Sequence, residues 1–513
     1  MSLVSLIKRL REVMRKDAGV DGDAQRLQQI VWLIFLMVFD YKEEEAEMNA
    51  DFEGTTYDPV IPEGYRWRDW ANPKKDDGTP DLKHQMTGDD LLEFVNNKLI
   101  PVLSGGNIKN DEGKNIVPFD KNDDRSLMVK SIMGDTNNFM KDGYLLREVV
   151  NMFNEVEFDD SAEAHEFNDM YESLLSGLQS AGSMGEFYTT RAITEFGIRR
   201  VNPRLGGTLG DWGCGTGGFL ISALDYMSRQ ANALDPVKAQ EAIQHAVRGG
   251  EYKPMPYKLC VTNLLLHGIE LPNIRYGDSL SEKNLNDFTE DDKVEYAALN
   301  PPYGGVALDT DKMSFPADMR SSETADLFVA LTVKRLKKDG RAMIVLPDGF
   351  LFGNDNAKVN VKKYLMNECN LHTVIRLPQS CFAPYTSIAT NLLFFDKTGK
   401  TEETWFYRLD MPEGYKHFSK TKPMMIEHFA PADNWWDDRK EIKDADTDTY
   451  KARKFTYDEI ESMGFNLDQC GYPVEEKIIL SPEETMQNFI ERRTELDNEI
   501  DARIEKIKAL LEV

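Results

Sequence analysis

The chain has 513 residues, enough for two to four structural units and a substantial core. Its 88 Asp and Glu outweigh 61 Lys and Arg, and the net charge of −27 argues against a DNA-binding surface acting alone, since such a surface must neutralise phosphates; an acidic chain can still borrow a basic partner. Five cysteines (Cys214, Cys260, Cys369, Cys381 and Cys470), no two close in sequence, argue against a disulfide framework or a zinc site and fit a reduced, cytoplasmic chain.

No secretory signal opens the sequence. The longest apolar run, Ile30 to Phe39, falls short of the roughly 20 residues a bilayer requires and reads as a buried core helix, so no membrane association is expected. Helical apolar spacing covers Leu27–Ala46 and Asp89–Leu103, a loop-rich stretch follows from Gly105 to Asp124, and residues 1–155 are expected to form a helical N-terminal domain. From near Asp169 to Lys397, β-rich and helical runs alternate. Predicted strands are Thr208–Trp212, Ala246–Glu251, Val294–Leu299, Arg341–Leu346, His372–Arg376 and Thr390–Phe395. Predicted helices are Thr190–Val201, Gly218–Asn232, Pro256–His267, Ala325–Lys338 and Val359–Glu368. This alternation predicts an α/β fold with a mostly parallel sheet over 156–400, its last two strands forming an antiparallel hairpin that closes the sheet. Residues 401–475 read as an irregular extension. Ser481-Pro482-Glu483-Glu484 is a helix start, and Phe489, Leu496, Ile500, Ile504, Ile507 and Leu511 make a narrow apolar stripe along a long amphipathic helix over 476–513. That stripe fits packing on its own domain or on a partner helix equally well.

Two short stretches carry chemistry. In "LGDWGCGTGGFL" (209–220), Gly213, Gly215 and Gly218 match the dinucleotide pattern G-x-G-x-x-G literally. That pattern expects an acid about 20 residues on, where this chain has Lys238; the next suitable acid is Glu251, 33 residues past Gly218. The spacing suits a nucleoside whose ribose is held by an acid at the end of the following strand, and fits NAD poorly. Asp211, just before the loop, would repel a pyrophosphate but suits an ammonium group. A nucleoside joined to an amino acid is S-adenosyl-L-methionine.

The second stretch, "ALNPPYGG" (298–305), ends a predicted strand with two prolines. Ligands bind at the carboxyl ends of such strands, so this turn and the glycine loop should face one crevice. The amide oxygen of Asn300 and the carbonyl of Pro301 can each accept a hydrogen from an exocyclic amino group, Pro302 stiffens the turn, and Tyr303 can stack on a base. Those contacts would draw the nitrogen lone pair toward a methyl sulfonium for in-line displacement governed by positioning. A base in duplex DNA would first have to be flipped out of the stack. A plain turn is the bland alternative for either stretch alone.

The order of these segments resembles amino-methylating DNA methyltransferases, most closely the modification subunit of type I restriction–modification systems. The resemblance implies a Rossmann-like S-adenosylmethionine-dependent methyltransferase sheet. It places "GEFYTT" (Glu186, Phe187, Tyr188, Thr189, Thr190) over the cofactor. It makes Asp211, Gly213, Gly215, Thr216, Gly217 and Gly218 the cofactor loop, with Glu251 on the ribose hydroxyls and Asp278 of "YGDSL" near the cofactor's adenine. It makes Asn300–Tyr303 the catalytic tetrapeptide and Phe382 a further ring against the flipped base. The family often carries Gln and Pro where this chain has Glu186 and Thr190, and Trp212 is bulkier than usual. The implied activity is methylation of adenine N6 in DNA, with DNA and a specificity subunit as partners, two modification subunits per specificity subunit, and a restriction subunit as a further associate. Cytosine-N4 methylation, an NAD-dependent oxidoreductase and an inactive cofactor-binding scaffold remain as alternatives. There is no metal-ligand constellation; Cys214 lacks a neighbouring base, and His267 follows an apolar helix and reads as structural.

Overall fold

The computed structural model describes residues 3–75, 77–109, 113–155, 189–233, 235–383, 386–444, 448–472 and 482–511. The chain divides into two units, 1–471 and 472–513.

The N-terminal part of the first unit is helical, with one short hairpin, β1 (Ile108–Lys109) and β2 (Asn115–Ile116). Its centre is the helix Asp23–Glu53, which buries the whole run Ile30–Phe39, as the sequence predicts. That helix stops at Gly54, whose φ of 70° is cheap only without a Cβ. Two acids on it are buried and satisfied: Asp40 pairs with Arg68 at 3.0 Å, and Glu43 accepts from the amides of Val60 and Ile61 at 2.6 and 3.3 Å. The predicted helix over 89–103 forms as Gly88–Phe94, a π turn at Val95–Leu99 and Ile100–Leu103. Among the described residues no helix is long and apolar enough to cross a membrane.

The sheet has ten strands. They are β3 (Leu209–Asp211), β4 (Val247–Glu251), β5 (Ile274–Tyr276), β6 (Val294–Leu299), β7 (Leu336–Pro347), β8 (Asn370–Arg376), β9 (Thr390–Asp396), β10 (Glu403–Arg408), β11 (Ile442–Lys443) and β12 (Tyr450–Thr456). Their order is β11-β12-β10-β8-β9-β7-β6-β3-β4-β5. Strands β5, β4, β3, β6 and β7 are parallel, and β9 runs antiparallel to both of its neighbours. All six predicted strands are present. The predicted hairpin, β8–β9, does not close the sheet: β9 inserts between β7 and β8, and β10 adds outside β8 in parallel. The burial of β9 along six consecutive residues rules out an edge position.

The reading of 401–475 as irregular is corrected. That segment supplies β10, β11, β12 and the helix Ala430–Asp437, which packs Trp435 against Tyr407 of β10 at 4.6 Å between ring centroids. Its strands escaped notice because "ETWFYR" and "YKARKFT" carry charges at positions a buried strand would make apolar. Lys362, wholly buried on the helix Asn356–Glu368, ties the end of this segment down by donating to the carbonyls of Leu351, Gly353 and Phe465 at 2.6, 2.8 and 3.1 Å. Replacing it with methionine (Lys362→Met) removes the donor to the Gly353 and Phe465 carbonyls, while Leu351 keeps the Leu467 amide at 3.0 Å, and is expected to destabilise the first unit by about 2–4 kcal/mol. Thermal unfolding measures this, and an unchanged midpoint would show that water replaces the cation without cost.

The second unit carries the helix Pro482–Leu511; the rest of the expected span 476–513 lies outside the described residues. Along it Met486, Phe489, Ile490, Leu496, Ile500 and Ile504 are exposed.

Candidate active site

The parallel strands β3, β4 and β6 deliver their carboxyl ends to one edge, so the turns after Asp211, Glu251 and Leu299 converge. The turn after β5 joins them. Between these turns lies a cleft of about 810 Å³, counted out to where it opens to solvent.

One wall is the glycine loop. Asp211 is buried and accepts from the Gly213 amide at 3.0 Å. Glu251, also buried, accepts from the amides of Gly215 and Lys253 at 2.9 and 2.7 Å, which locks the loop onto the end of β4. The helix Gly218–Ser228 then starts from Gly217 at φ 88°; a Cβ there would sit 3.0 Å from the Cys260 sulfur, so glycine serves both the turn and the close approach. Burial pushes the Asp211 carboxyl up to about 8, with the neighbouring Glu251 adding to it, and burial raises Glu251 as well. Two buried carboxyls, of which Glu251 feels the Lys253 ammonium and Asp211 no cation among the described residues, are what a ligand bearing an ammonium or sulfonium charge and vicinal hydroxyls would satisfy, so the residues fit S-adenosylmethionine.

Opposite stands the tetrapeptide. The Asn300 amide nitrogen donates to the Thr189 hydroxyl at 2.9 Å, and the Tyr303 hydroxyl donates to the Asn300 amide oxygen. Thr324 donates to the Pro302 carbonyl at 3.1 Å and so holds the turn from behind, whereas no described residue donates to the Pro301 carbonyl. Burial raises the Tyr303 hydroxyl well above its ordinary range, with Cys381 close by.

Of the residues singled out in the sequence, Thr189, Asp211, Gly213, Gly215, Gly218, Glu251, Asp278, Asn300 and Pro302 line the cleft. Thr216 and Gly217 lie behind it in the loop, where the Thr216 carbonyl accepts from Asn263 at 3.4 Å. Thr190 is buried at the start of the helix Arg191–Val201 with φ −59°, a backbone setting that a proline shares. Pro301, Tyr303 and Phe382 are not on the cleft lining; Pro301 and Phe382 are buried, and the Tyr303 ring packs on the same core cluster as Phe382. Glu186, Phe187 and Tyr188 lie outside the described residues. Asp278 accepts from the Leu280 amide at 2.8 Å and abuts Asp311, whose carboxyl is raised by burial and by that neighbour.

Sequence reasoning missed Tyr252, Lys253, Ser279, Phe219 and Phe328 on the lining. Tyr252 was legible, since it follows Glu251 directly. Phe328 was not, because nothing in the helix Thr324–Arg335 distinguishes it from its core neighbours. The indole of Trp212 is covered by the Arg335 guanidinium at 3.5 Å.

Comparison with known proteins gives the family. Residues 162–478 match the family described as N-6 DNA methylase, and residues 3–153 match the HsdM N-terminal domain. The chain belongs to the N-6 DNA methylase family. It is 44% identical over 498 residues to the methylase subunit of the type I restriction enzyme EcoEI of Escherichia coli, covering 97% of this chain and 96% of that one. The EcoKI methylase subunit of Escherichia coli K12 is 26% identical over 84% of this chain and 75% of its own length. Among solved structures, a type I modification subunit from Vibrio vulnificus YJ016 superposes with a TM-score of 0.75 at 37% identity, over 90% of this chain and 93% of that chain. A chain from a study of type I restriction–modification assembly gives 0.76 at 30% identity, over 100% of this chain and 98% of that chain.

These relationships choose among the readings left open by the sequence. This N-6 DNA methylase is an adenine-specific DNA methyltransferase of the type I restriction–modification class, with S-adenosylmethionine as methyl donor. The fold is the expected Rossmann-like methyltransferase sheet with a helical N-terminal region.

Proposed function

We propose that the chain is the cytoplasmic modification subunit of a type I system, carrying the transfer on Asn300, Pro301, Pro302 and Tyr303 and holding the cofactor through Thr189, Thr190, the glycine loop from Asp211 to Gly218, Glu251 and Asp278. Glu186, Phe187 and Tyr188 are assigned to the cofactor by resemblance. The bound sulfonium supplies an electrophilic methyl group. Asp211 neutralises the cofactor's positive end, Glu251 accepts from ribose hydroxyls, and the amide groups of the glycine loop fix the ligand's position. The observation that carries this reading is the meeting of Asn300 with the Asp211 and Glu251 carboxyls across one cleft.

Asn300 and Tyr303 then act on the base. The Tyr303 hydroxyl donates to the Asn300 oxygen that an adenine N6–H would use, while the Pro301 carbonyl has no donor among the described residues. An incoming adenine takes over both acceptors, which localises the nitrogen lone pair and aims it at the methyl group. Displacing the tyrosine hydroxyl frees its ring to stack on the base, with Phe382 behind it. Expression of the complete system in a host lacking DNA methylation tests the reading: N6-methyladenine should appear in host DNA, and a complex that assembles but leaves the DNA unmodified would overturn it.

The chain is read as a helical domain (1–155), the catalytic domain (156–400), an extension (401–475) and an assembly helix (476–513). Two such chains flank one specificity subunit, which reads the DNA sequence, and a restriction subunit joins them.

Asp211 sets a pH dependence. Burial pushes its carboxyl in the folded protein up to about 8, against roughly 4 for an unfolded aspartate, so the folded protein holds an extra proton between these values and loses stability as pH rises through that window. A cationic ligand favours the carboxylate, so binding expels the proton and tightens with pH. Cofactor affinity should rise by up to roughly tenfold from pH 6 to pH 7, below the titration of the cofactor's own amine. Asp211→Asn should flatten that profile. Calorimetry in two buffers of different ionisation heat detects the proton, and equal heats would remove Asp211 from the role.

A further inference from the structure

The chain is strongly acidic, yet residues 414–426 contain no Asp or Glu and carry Lys416, Lys420 and Lys422. All three lysines are exposed, and among the described residues none of their ammonium groups enters an ion pair. Some lysines elsewhere are paired: Lys121, Lys283 and Lys337 each hold a carboxylate within 2.8 Å. The basic stretch is also built to keep its shape. Ser419 and Lys422 exchange backbone hydrogen bonds of 3.0 and 3.1 Å, and the buried Phe418 anchors the turn against Tyr415 and His428 with ring centroids 5.6 and 5.4 Å apart.

Its position is specific. The Phe418 amide donates to the Ser380 hydroxyl at 2.9 Å. Ser380 precedes Cys381, the group beside the buried Tyr303 hydroxyl, and Phe382. A chain of contacts therefore runs from this lysine-bearing turn, where the Lys422 ammonium lies 5.5 Å over the Tyr415 ring, to the tetrapeptide through the loop that bears Phe382.

We infer that the Tyr415–Lys422 turn grips the DNA phosphate backbone beside the flipped adenine. The inference rests on the proposed reading of DNA as substrate and deepens it: the specificity subunit selects the site, and this turn holds the strand whose base leaves the stack. Extruding a base costs stacking and pairing, and cations on the flanking phosphates offset that cost only if they stand next to the pocket. Lysines are suited to this work as point charges that need no fixed hydrogen-bond geometry.

The test uses the full complex with its specificity subunit and unmethylated genomic DNA fragments. The triple variant Lys416→Ala, Lys420→Ala, Lys422→Ala should raise KM for DNA roughly tenfold or more at physiological salt, leave kcat within about twofold, and leave cofactor affinity unchanged. The slope of log affinity against log salt should become shallower by about 2 to 3, since each lost phosphate contact removes about 0.9. Replacing the same three lysines with arginine should restore both quantities. An unchanged KM and salt slope would overturn the inference, as would loss of the specificity subunit from the complex, which would assign the turn to a protein contact. Failure of the underlying reading is separable: the wild-type complex would then make no N6-methyladenine, whatever the lysines do to the salt slope.

Discussion

Asn300→Ala is expected to lower the single-turnover methylation rate by about three orders of magnitude while cofactor affinity stays within about twofold. In the proposed mechanism the amide oxygen is one of two acceptors for the adenine amino group, and alanine removes it while the Asp211 and Glu251 side of the cleft keeps its residues. Loss of one preorganised polar group at a reacting centre commonly costs 10²–10³ in kcat, and here the group also sets the orientation of the nucleophile. The side chain has a structural role too, through Thr189 and Tyr303, worth about 1 kcal/mol for a half-buried hydrogen-bonded amide. Thermal unfolding of the variant separates this small loss from the large kinetic one. Tyr303→Phe makes a useful companion. It frees the Asn300 oxygen and keeps the ring, so its rate should fall far less than that of the alanine variant. A near-normal rate for Asn300→Ala would remove the tetrapeptide from the chemistry.

Removing residues after about 480 is expected to weaken assembly with the specificity subunit by more than a thousandfold. The helix Pro482–Leu511 exposes Met486, Phe489, Ile490, Leu496, Ile500 and Ile504, between 42% and 63% of each, in a stripe at helical spacing. Intrahelical pairs such as Arg492–Glu495 at 2.9 Å support the helix but leave that stripe uncovered. Covering six half-exposed apolar side chains contributes on the order of 5 kcal/mol, which corresponds to 10³–10⁴ in a dissociation constant. Co-purification and sedimentation of the truncated chain with the specificity subunit provide the measurement, and cofactor titration serves as the control for folding of 1–471. Retained assembly would move the interface to another part of the chain.

The agreement between sequence and structure is uneven, and the unevenness follows from physics. Asp211, Gly213, Gly215, Glu251 and Asn300 were legible because loops at strand ends concentrate their signal locally: glycines where the backbone must turn tightly, an acid at a strand terminus, an amide beside two prolines. Strands β3, β4, β6 and β7 were legible as apolar runs between turn residues. β5 was not, since three residues between Asn273 and Gly277 offer no periodicity to count. β10 and β12 were hidden by their charges, which the structure spends on cross-strand neighbours such as Lys454 with Glu403 at 2.7 Å.

By itself the sequence determined the chemistry available to this methyltransferase: which side chains stand at which strand ends, a helical N-terminal part, a helical C-terminal stripe with no preference for its own domain, and a charge unsuited to solitary DNA binding. Those properties are local, because they depend on residue type and spacing along a few turns of chain. The tertiary structure alone decided what requires distant segments to meet. It put β9 between β7 and β8, recruited 401–475 into the sheet, and brought the Phe418 amide to the Ser380 hydroxyl. None of these follows from periodicity, since each is fixed by long-range packing, whose partners lie tens to hundreds of residues apart.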